Sequence, residues 1–269
     1  MRVGQLNPTN KITTLARRYL PDPIRKPLGS LCGKIRGNIV YPFLGLIFDL
    51  SGGRFKADGC VFHVPKDITN LESRAGFLLN SHEEDERKLV KEFLLPDDSV
   101  LELGACLGIV SCITNKKLSN PTHHVAVEAN PFCLSALHRN RELNKCGFLI
   151  ENCAVSNQAV VTFFLHPRYV VQGTAKLESG FPIRVPGRSL KELINRYGPF
   201  SVLIMDIEGS ELEILSSSRE ILQNFRLIII ELHSWAIGDE GIAQCREILE
   251  KSGFKMREQS YITEAWFRV

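Results

Sequence analysis

The sequence predicts an α/β protein built on a mostly parallel, doubly wound sheet with helices on both faces. Three observations carry this prediction. An apolar run, Val100-Leu101-Glu102-Leu103, ends in the glycine-punctuated turn Gly104-Ala105-Cys106-Leu107-Gly108 and leads into a helix-like segment. A second apolar run, His124-Val125-Ala126-Val127, ends in an acid, Glu128, about 20 residues after that turn. Short runs rich in Val, Ile and Leu then alternate with amphipathic stretches to the end of the chain. A length of 269 residues with 44% hydrophobic content suits one such domain plus an N-terminal extension.

The elements follow in order. Residues 1–58 read as a basic arm, carrying Arg2, Lys11, Arg17, Arg18, Arg25, Lys26, Lys34 and Arg36 against Asp22 before an apolar run from Ile39 to Phe48. The chain as a whole is nearly balanced at +3, so the rest is slightly acidic. The apolar run is shorter than the ~20 residues of a membrane span and is broken by Pro42 and Gly45. Residues 1–48 therefore suit either peripheral contact with an anionic membrane or a lipid-linked substrate, or an arm packed on the domain or on a second copy of the chain. Residues 59–98 hold a strand pair or lid at 59–65 and a charged amphipathic helix at 82–95.

The main domain is expected over 99–269. Strands are predicted at 99–103, 123–128, 148–153, 160–165, 201–206 and 227–231, and helices at 109–118, 131–144, 190–197, 211–217 and 242–252. Strands at 254–258 and 264–269 close the sheet as an antiparallel hairpin. Cys106, Cys112, Cys133, Cys146, Cys153 and Cys245 fall in core or helical segments without a C-x-x-C pair, which points to reduced thiols. The run at 39–48 also lies too far into the chain for a signal peptide. A cytoplasmic protein is expected, peripheral at most to the inner face of a membrane.

The glycine turn places backbone N–H groups and the start of a helix toward a ligand at the carboxyl edge of the sheet. Glu128, at the end of the neighbouring strand, is placed to accept hydrogen bonds from ribose hydroxyls; its plainer role is to charge the first turn after Asn130-Pro131, an N-cap with proline following. The spacing Gly104-x-x-x-Gly108 lacks the three glycines of a nicotinamide-dinucleotide turn, so no pyrophosphate cradle is evident. A ligand with ribose and no phosphate fits better, and S-adenosylmethionine is such a ligand.

From about residue 84 to 269 the chain resembles the FkbM-type S-adenosylmethionine-dependent methyltransferases. The residues that carry the resemblance are Glu102-Leu103-Gly104-Ala105-Cys106-Leu107-Gly108, Glu128-Ala129-Asn130-Pro131, Ala154-Val155-Ser156-Asn157 and Asp206-Ile207-Glu208-Gly209. The resemblance implies a class I methyltransferase, Rossmann-like fold with a seven-stranded sheet. It also implies that Glu128 binds the ribose, that the segment around Ala154 flanks the adenine, and that Glu102, Gly104, Ala105, Cys106, Gly108, Ala129, Asn130 and Asp206 belong to the cofactor site. Four positions depart from the family pattern. Cys106 stands where Asn is usual, Ala129 where Pro is usual, Met205 where Lys often is, and Glu102 replaces Asp.

Chemistry is expected at the remaining acid-bearing strand ends, where Asp206, Glu208, Glu231 and His233 would face the methyl donor. A hydroxyl acceptor needs its proton removed as it attacks, and His233 and Asp206 are the leading general bases. A divalent cation such as Mg²⁺ on Asp206, Glu208 and Glu231 is the less favoured alternative, because these acids also suit an ordinary helix start and strand end. The expected activity is O-methylation of a sugar, glycan, glycolipid or related natural product. N-methylation of a small molecule or protein, and a non-catalytic scaffold, stand as the competing readings. Nucleic acid is disfavoured, since no Asn/Asp-Pro-Pro-aromatic signature follows the fourth strand and the basic arm lacks interleaved aromatics. The acceptor surface is expected in the N-terminal third and in a loop at 168–184.

Overall fold

The computed structural model describes residues 40–166, 169–175 and 180–269. Most of the basic arm therefore lies outside the described residues. The chain folds as α1 (Tyr41–Leu50), β1 (Arg54–Ala57), β2 (Cys60–His63), α2 (Leu71–Leu78), α3 (Glu84–Phe93), β3 (Val100–Leu103), α4 (Ile109–Lys117), β4 (His124–Val127), α5 (Leu134–Leu143) and β5 (Leu149–Glu151). It continues through β6 (Ala154–Val155), β7 (Val160–His166), β8 (Tyr169–Thr174), β9 (Phe181–Arg188), α6 (Leu190–Tyr197), β10 (Val202–Met205), α7 (Glu211–Ser217), α8 (Arg219–Leu222), β11 (Leu227–Glu231), α9 (Ser234–Lys251), β12 (Phe254–Ser260) and β13 (Thr263–Arg268).

Seven strands form the central sheet in the order β12-β13-β11-β10-β3-β4-β5. The pairs from β11 through β10, β3 and β4 to β5 are parallel, and β13 runs antiparallel to both β11 and β12. This is the class I methyltransferase arrangement, with the chain order reversing between β3 and β10. Strands β3, β4 and β10 are buried at every residue, because helices cover both faces and leave no position for a polar alternation. One apolar cluster gathers Val100, Ala126, Val202 and Ile229 with Phe48, Phe55, Phe62 and Leu89. The other gathers Leu101, Val127, Leu203 and Ile230 with Leu193, Leu215 and Leu249. Alternate residues of each strand thus feed opposite layers.

The strand expected at 160–165 leaves this sheet. It pairs as β7 with β8 and β9, and β9 pairs in turn with β6, giving a separate four-stranded sheet. The loop expected at 168–184 accordingly contains β8 and the first half of β9. β9 includes Pro182, Pro186 and Gly187, residues that disfavour a strand interior. Both prolines are exposed, while Ile183 and Val185 turn inward against Val161, Phe163 and Leu165, so the alternation of a strand survives beneath them.

The segment before the main sheet is more ordered than its sequence suggested. The strand pair begins at Arg54, and α2 is closed by a reciprocal cap in which Asn70 and Ser73 serve each other's backbone N–H groups. Helix α1 lies so close to α2 that a side chain at Gly45 would overlap the backbone of Leu71, its Cβ falling 2.0 Å from the Leu71 carbonyl oxygen. Helix α9 starts at Ser234, earlier than expected, and bends where Gly238 adopts φ +69°. The described cysteines are all free thiols. No helix among the described residues is long and apolar enough to cross a membrane.

Candidate active site

The site is built at the carboxyl ends of β3, β4, β10 and β11, where the two halves of the sheet diverge. After β3 the chain turns through Gly104 at φ +95°, Cys106 at φ +48° and Gly108 at φ +79°. Gly104 is required by proximity as well as by its dihedral, since a Cβ there would lie 1.7 Å from the Asp206 carbonyl oxygen. The turn and the end of β10 are thus in direct contact. Gly104 and Ala105 both donate to the Val127 carbonyl at 2.9 and 3.0 Å, which anchors the turn on β4.

Glu128 is almost fully buried beside this turn. Its carboxylate accepts from the Cys106 N–H at 2.6 Å and from the Asn130 N–H at 2.6 Å. Burial pushes its pKa up to about 7, against the pull of those two backbone donors. The Cys106 contact is made by its backbone, in the left-handed region at φ +48°, and so does not depend on the side chain at position 106. Asn130 accepts from the Phe132 N–H at 3.0 Å and closes a turn, and α5 begins only at Leu134. Ala129 packs on the cluster that contains Ala154, so the two segments assigned to the adenine and ribose lie together.

Glu102 faces the core. One oxygen accepts from the Ser111 hydroxyl at 2.8 Å and the other lies 2.9 Å from Nε2 of His124. Both are occupied within a buried patch that ties β3, β4 and α4 together. The parallel register sets Val100 opposite His124, which brings Glu102 within its diagonal reach.

Asp206, Glu208, Glu231 and His233 do converge. His233 is buried, with Nε2 3.5 Å from Asp206 Oδ1, 3.5 Å from Glu208 Oε2 and 3.4 Å from Glu231 Oε1. Its Nδ1 lies 2.7 Å from Glu211 Oε1, an oxygen that also accepts from the Gly209 N–H at 2.9 Å. Burial opposes a charged imidazole, but the four surrounding carboxylates overcome it and hold the His233 pKa well above its ordinary value. These carboxylates therefore favour the imidazolium form of His233. Asp206 and Glu208 are shifted the other way for carboxylates: burial raises both, Glu231 adds repulsion, and His233 only partly offsets it. Glu208 sits in the left-handed region at φ +52°, followed by Gly209 at φ +107°, and its carbonyl accepts from the Thr174 hydroxyl at 2.5 Å. The second sheet thus braces the turn that carries the acids.

Three residues escaped the sequence reading. Glu211 is fully buried and orients His233, a role foreshadowed by its place after Asp206-Ile207-Glu208-Gly209-Ser210. Trp235 stands 5.9 Å from the His233 ring, edge to face, and is 52% exposed. Glu86 belongs to α3 and is 3% exposed. Its signal was present: Glu86, Leu89, Val90 and Phe93 fall at i, i+3, i+4 and i+7, so a helical wheel puts this acid on the apolar face.

Comparison with known proteins agrees with this geometry. Residues 102–256 match the family model described as the methyltransferase FkbM domain, which is more than half of the chain. A relative, the hexuronic acid methyltransferase AglP of Haloferax volcanii, is 25% identical over 154 residues, 56% of this chain and 63% of that protein. The chain therefore spans less than two-thirds of that relative's length. Solved structures similar in outline include a precorrin-6y C5,15-methyltransferase from Geobacter metallireducens, with a TM-score of 0.44 and 11% identity over 77% of this chain and 93% of that one. TYW2 of M. jannaschii in complex with AdoMet gives a TM-score of 0.42 and 14% identity over 80% and 86%.

Proposed function

The chain belongs to the FkbM methyltransferase family, and from that premise we propose that it is an S-adenosylmethionine-dependent O-methyltransferase acting on a hydroxyl of a sugar, glycan or glycolipid. The observation that carries this reading is the cluster of Asp206, Glu208, Glu231 and His233, set directly against the glycine turn through the Gly104–Asp206 contact. S-adenosylmethionine suits the residues present, being a sulfonium with an ammonium group entering a site rich in buried carboxylates. Glu128 would hold its ribose hydroxyls, the 104–108 turn its amino-acid end, and Ala129 with Ala154 its adenine. When bound, it supplies a methyl group activated for attack by an acceptor oxygen.

The protein's task is the acceptor proton. A sugar hydroxyl holds its proton tightly at neutral pH, so a base must take it as the oxygen attacks. Burial raises the pKa values of Asp206 and Glu208, which makes each, when ionised, a stronger proton acceptor than an exposed carboxylate. His233 orients these carboxylates and is itself fixed by Glu211. Trp235 beside it offers an exposed aromatic face on which the apolar side of a sugar ring can stack. The name of the Haloferax relative, a hexuronic acid methyltransferase, supports the same acceptor class.

A lipid-linked acceptor is favoured by α1. One face of this helix packs through Gly45 and Phe48, while Phe43, Leu46, Ile47 and Leu50 line the other and are 61, 48, 38 and 80% exposed. With the eight basic residues before position 37, this apolar stripe suits an anionic lipid surface.

The experiment for the catalytic reading is Asp206→Asn. Turnover should fall by about 10²–10⁴, the range for losing a general base, with donor affinity nearly unchanged. Unchanged turnover, or a loss confined to donor affinity, would remove Asp206 from that role.

A further inference from the structure

Glu86 is the least explained charged group in the protein. It projects from α3 with Leu89 and Val90 into the interior and is 3% exposed, yet no hydrogen bond or ion pair reaches its carboxylate among the described residues. A buried ionised carboxylate without a counter-charge costs several kcal/mol, so it stays protonated or awaits a cation. One carboxylate oxygen each of Glu86, Asp206 and Glu231 lies within 4.8 Å of the other two. Oxygens that share a divalent cation at ordinary bond lengths are separated by at most about 4–5 Å, so this spacing needs little adjustment. Asp206 Oδ1 is likewise fully buried without a hydrogen bond, its nearest cation being the His233 ring at 3.5 Å. The His233 Nε2 already faces Asp206, Glu208 and Glu231, and none of its contacts extends to Glu86.

We propose that Glu86, Asp206 and Glu231 bind one divalent cation with a preference for oxygen ligands, Mg²⁺ or Mn²⁺. Three carboxylates, from α3, the end of β10 and β11, would supply three of the six or more oxygen ligands that such a cation takes, and water or oxygens of a bound molecule would supply the rest. If the proposed function holds, those oxygens are neighbouring hydroxyls of the sugar acceptor: the cation would lower the pKa of the one to be methylated and, with Asp206 held on the cation, the proton would pass to Glu208, the other carboxylate of that reading. That use rests on the methyltransferase reading; the binding itself does not.

The test is Mn²⁺ titration of the full chain by electron paramagnetic resonance in the absence of donor, with Mg²⁺ competition. One site per chain is expected, weakened at least tenfold by Glu86→Gln, a near-isosteric change whose folding is checked by circular dichroism. Should that variant fail to fold, Glu231→Gln replaces it, with the same loss expected. Failure of the wild type to bind millimolar Mn²⁺ or Mg²⁺, or equal binding by the wild type and a folded Glu86→Gln, overturns the proposal. So does a variant that loses affinity for S-adenosylhomocysteine and keeps Mn²⁺, because Glu86 would then be the partner of the donor's ammonium group. Calorimetry with S-adenosylhomocysteine in chelator separates the two ideas: donor-product binding without Mn²⁺ binding sinks only the cation site, and Mn²⁺ binding without it sinks only the proposed function.

Discussion

Replacing Gly104 by Ala tests the contact on which the whole site depends. The new methyl would sit 1.7 Å from the Asp206 carbonyl oxygen, where a carbon–oxygen contact normally needs about 3.3 Å. The ends of β3 and β10 must then part by more than an ångström. That strains the hydrogen bond from the Asp206 N–H to the Leu103 carbonyl, 2.9 Å long, whose net worth is about 0.5–1.5 kcal/mol. Overpacking adds about 1–3 kcal/mol, and φ +95° costs a residue with a Cβ about 1–2 kcal/mol more. A loss of about 2.5–6.5 kcal/mol follows, a large share of the stability of an ordinary domain. Gly253 is the control: its φ is +84°, and an added Cβ would meet nothing within 4 Å, so Gly253→Ala carries the dihedral cost alone. Urea unfolding of both variants, followed by titration with S-adenosylhomocysteine, measures the difference. The reasoning is refuted if the two variants unfold within about 0.5 kcal/mol of each other, or if Gly104→Ala binds the nucleoside as the wild type does.

Three further outcomes are expected. Glu128→Ala should cost donor binding about 1.5–3 kcal/mol, the range for hydrogen bonds to a charged group. Because the Glu128 pKa is raised to about 7, the folded state keeps this proton longer than the unfolded chain, so its contribution to stability is present below about pH 4.5 and falls as pH rises to 7. Donor affinity should move oppositely, tightening from pH 6 to 8 as the ribose gains an ionised acceptor; flat affinity in calorimetry would exclude that contact. Asp98 takes the Arg226 guanidinium, the Leu95 N–H and the Ser201 hydroxyl; burial alone would raise its pKa, but these partners hold it below the usual range. Asp98→Asn should destabilise by about 2 kcal/mol, less than for a sealed pair because Arg226 is 32% exposed, and the wild-type advantage should vanish as pH falls below about 4. Finally, the full chain should co-sediment with anionic vesicles, less so in high salt, and Phe43→Ser with Leu50→Ser should abolish it. Equal sedimentation of wild type and variant would leave the stripe to a second copy of the chain, which ultracentrifugation would reveal.

The amino-acid sequence by itself determined the succession of strands and helices in the main domain and the place of the glycine turn after β3. These are local facts: apolar runs of four or five residues stop at glycines and acids, whereas the lateral order of the strands, with its reversal between β3 and β10, is read from their pairing. Asp206, Glu208, Glu231 and His233 were legible for the same reason, each lying at a strand end. What only the tertiary structure decided depends on which elements meet. Val160 to His166 has the composition of a core strand, yet it pairs with β8 and β9, because strand pairing is chosen by partners distant in the chain. His124 has no chemical context until register sets it diagonally across from Glu102. The protonation of His233 is likewise a property of four carboxylates drawn from three separate elements. Glu86 is the sharpest case: its helical spacing marks it as inward-facing, but only packing α3 against β11 brings this acid together with Asp206 and Glu231.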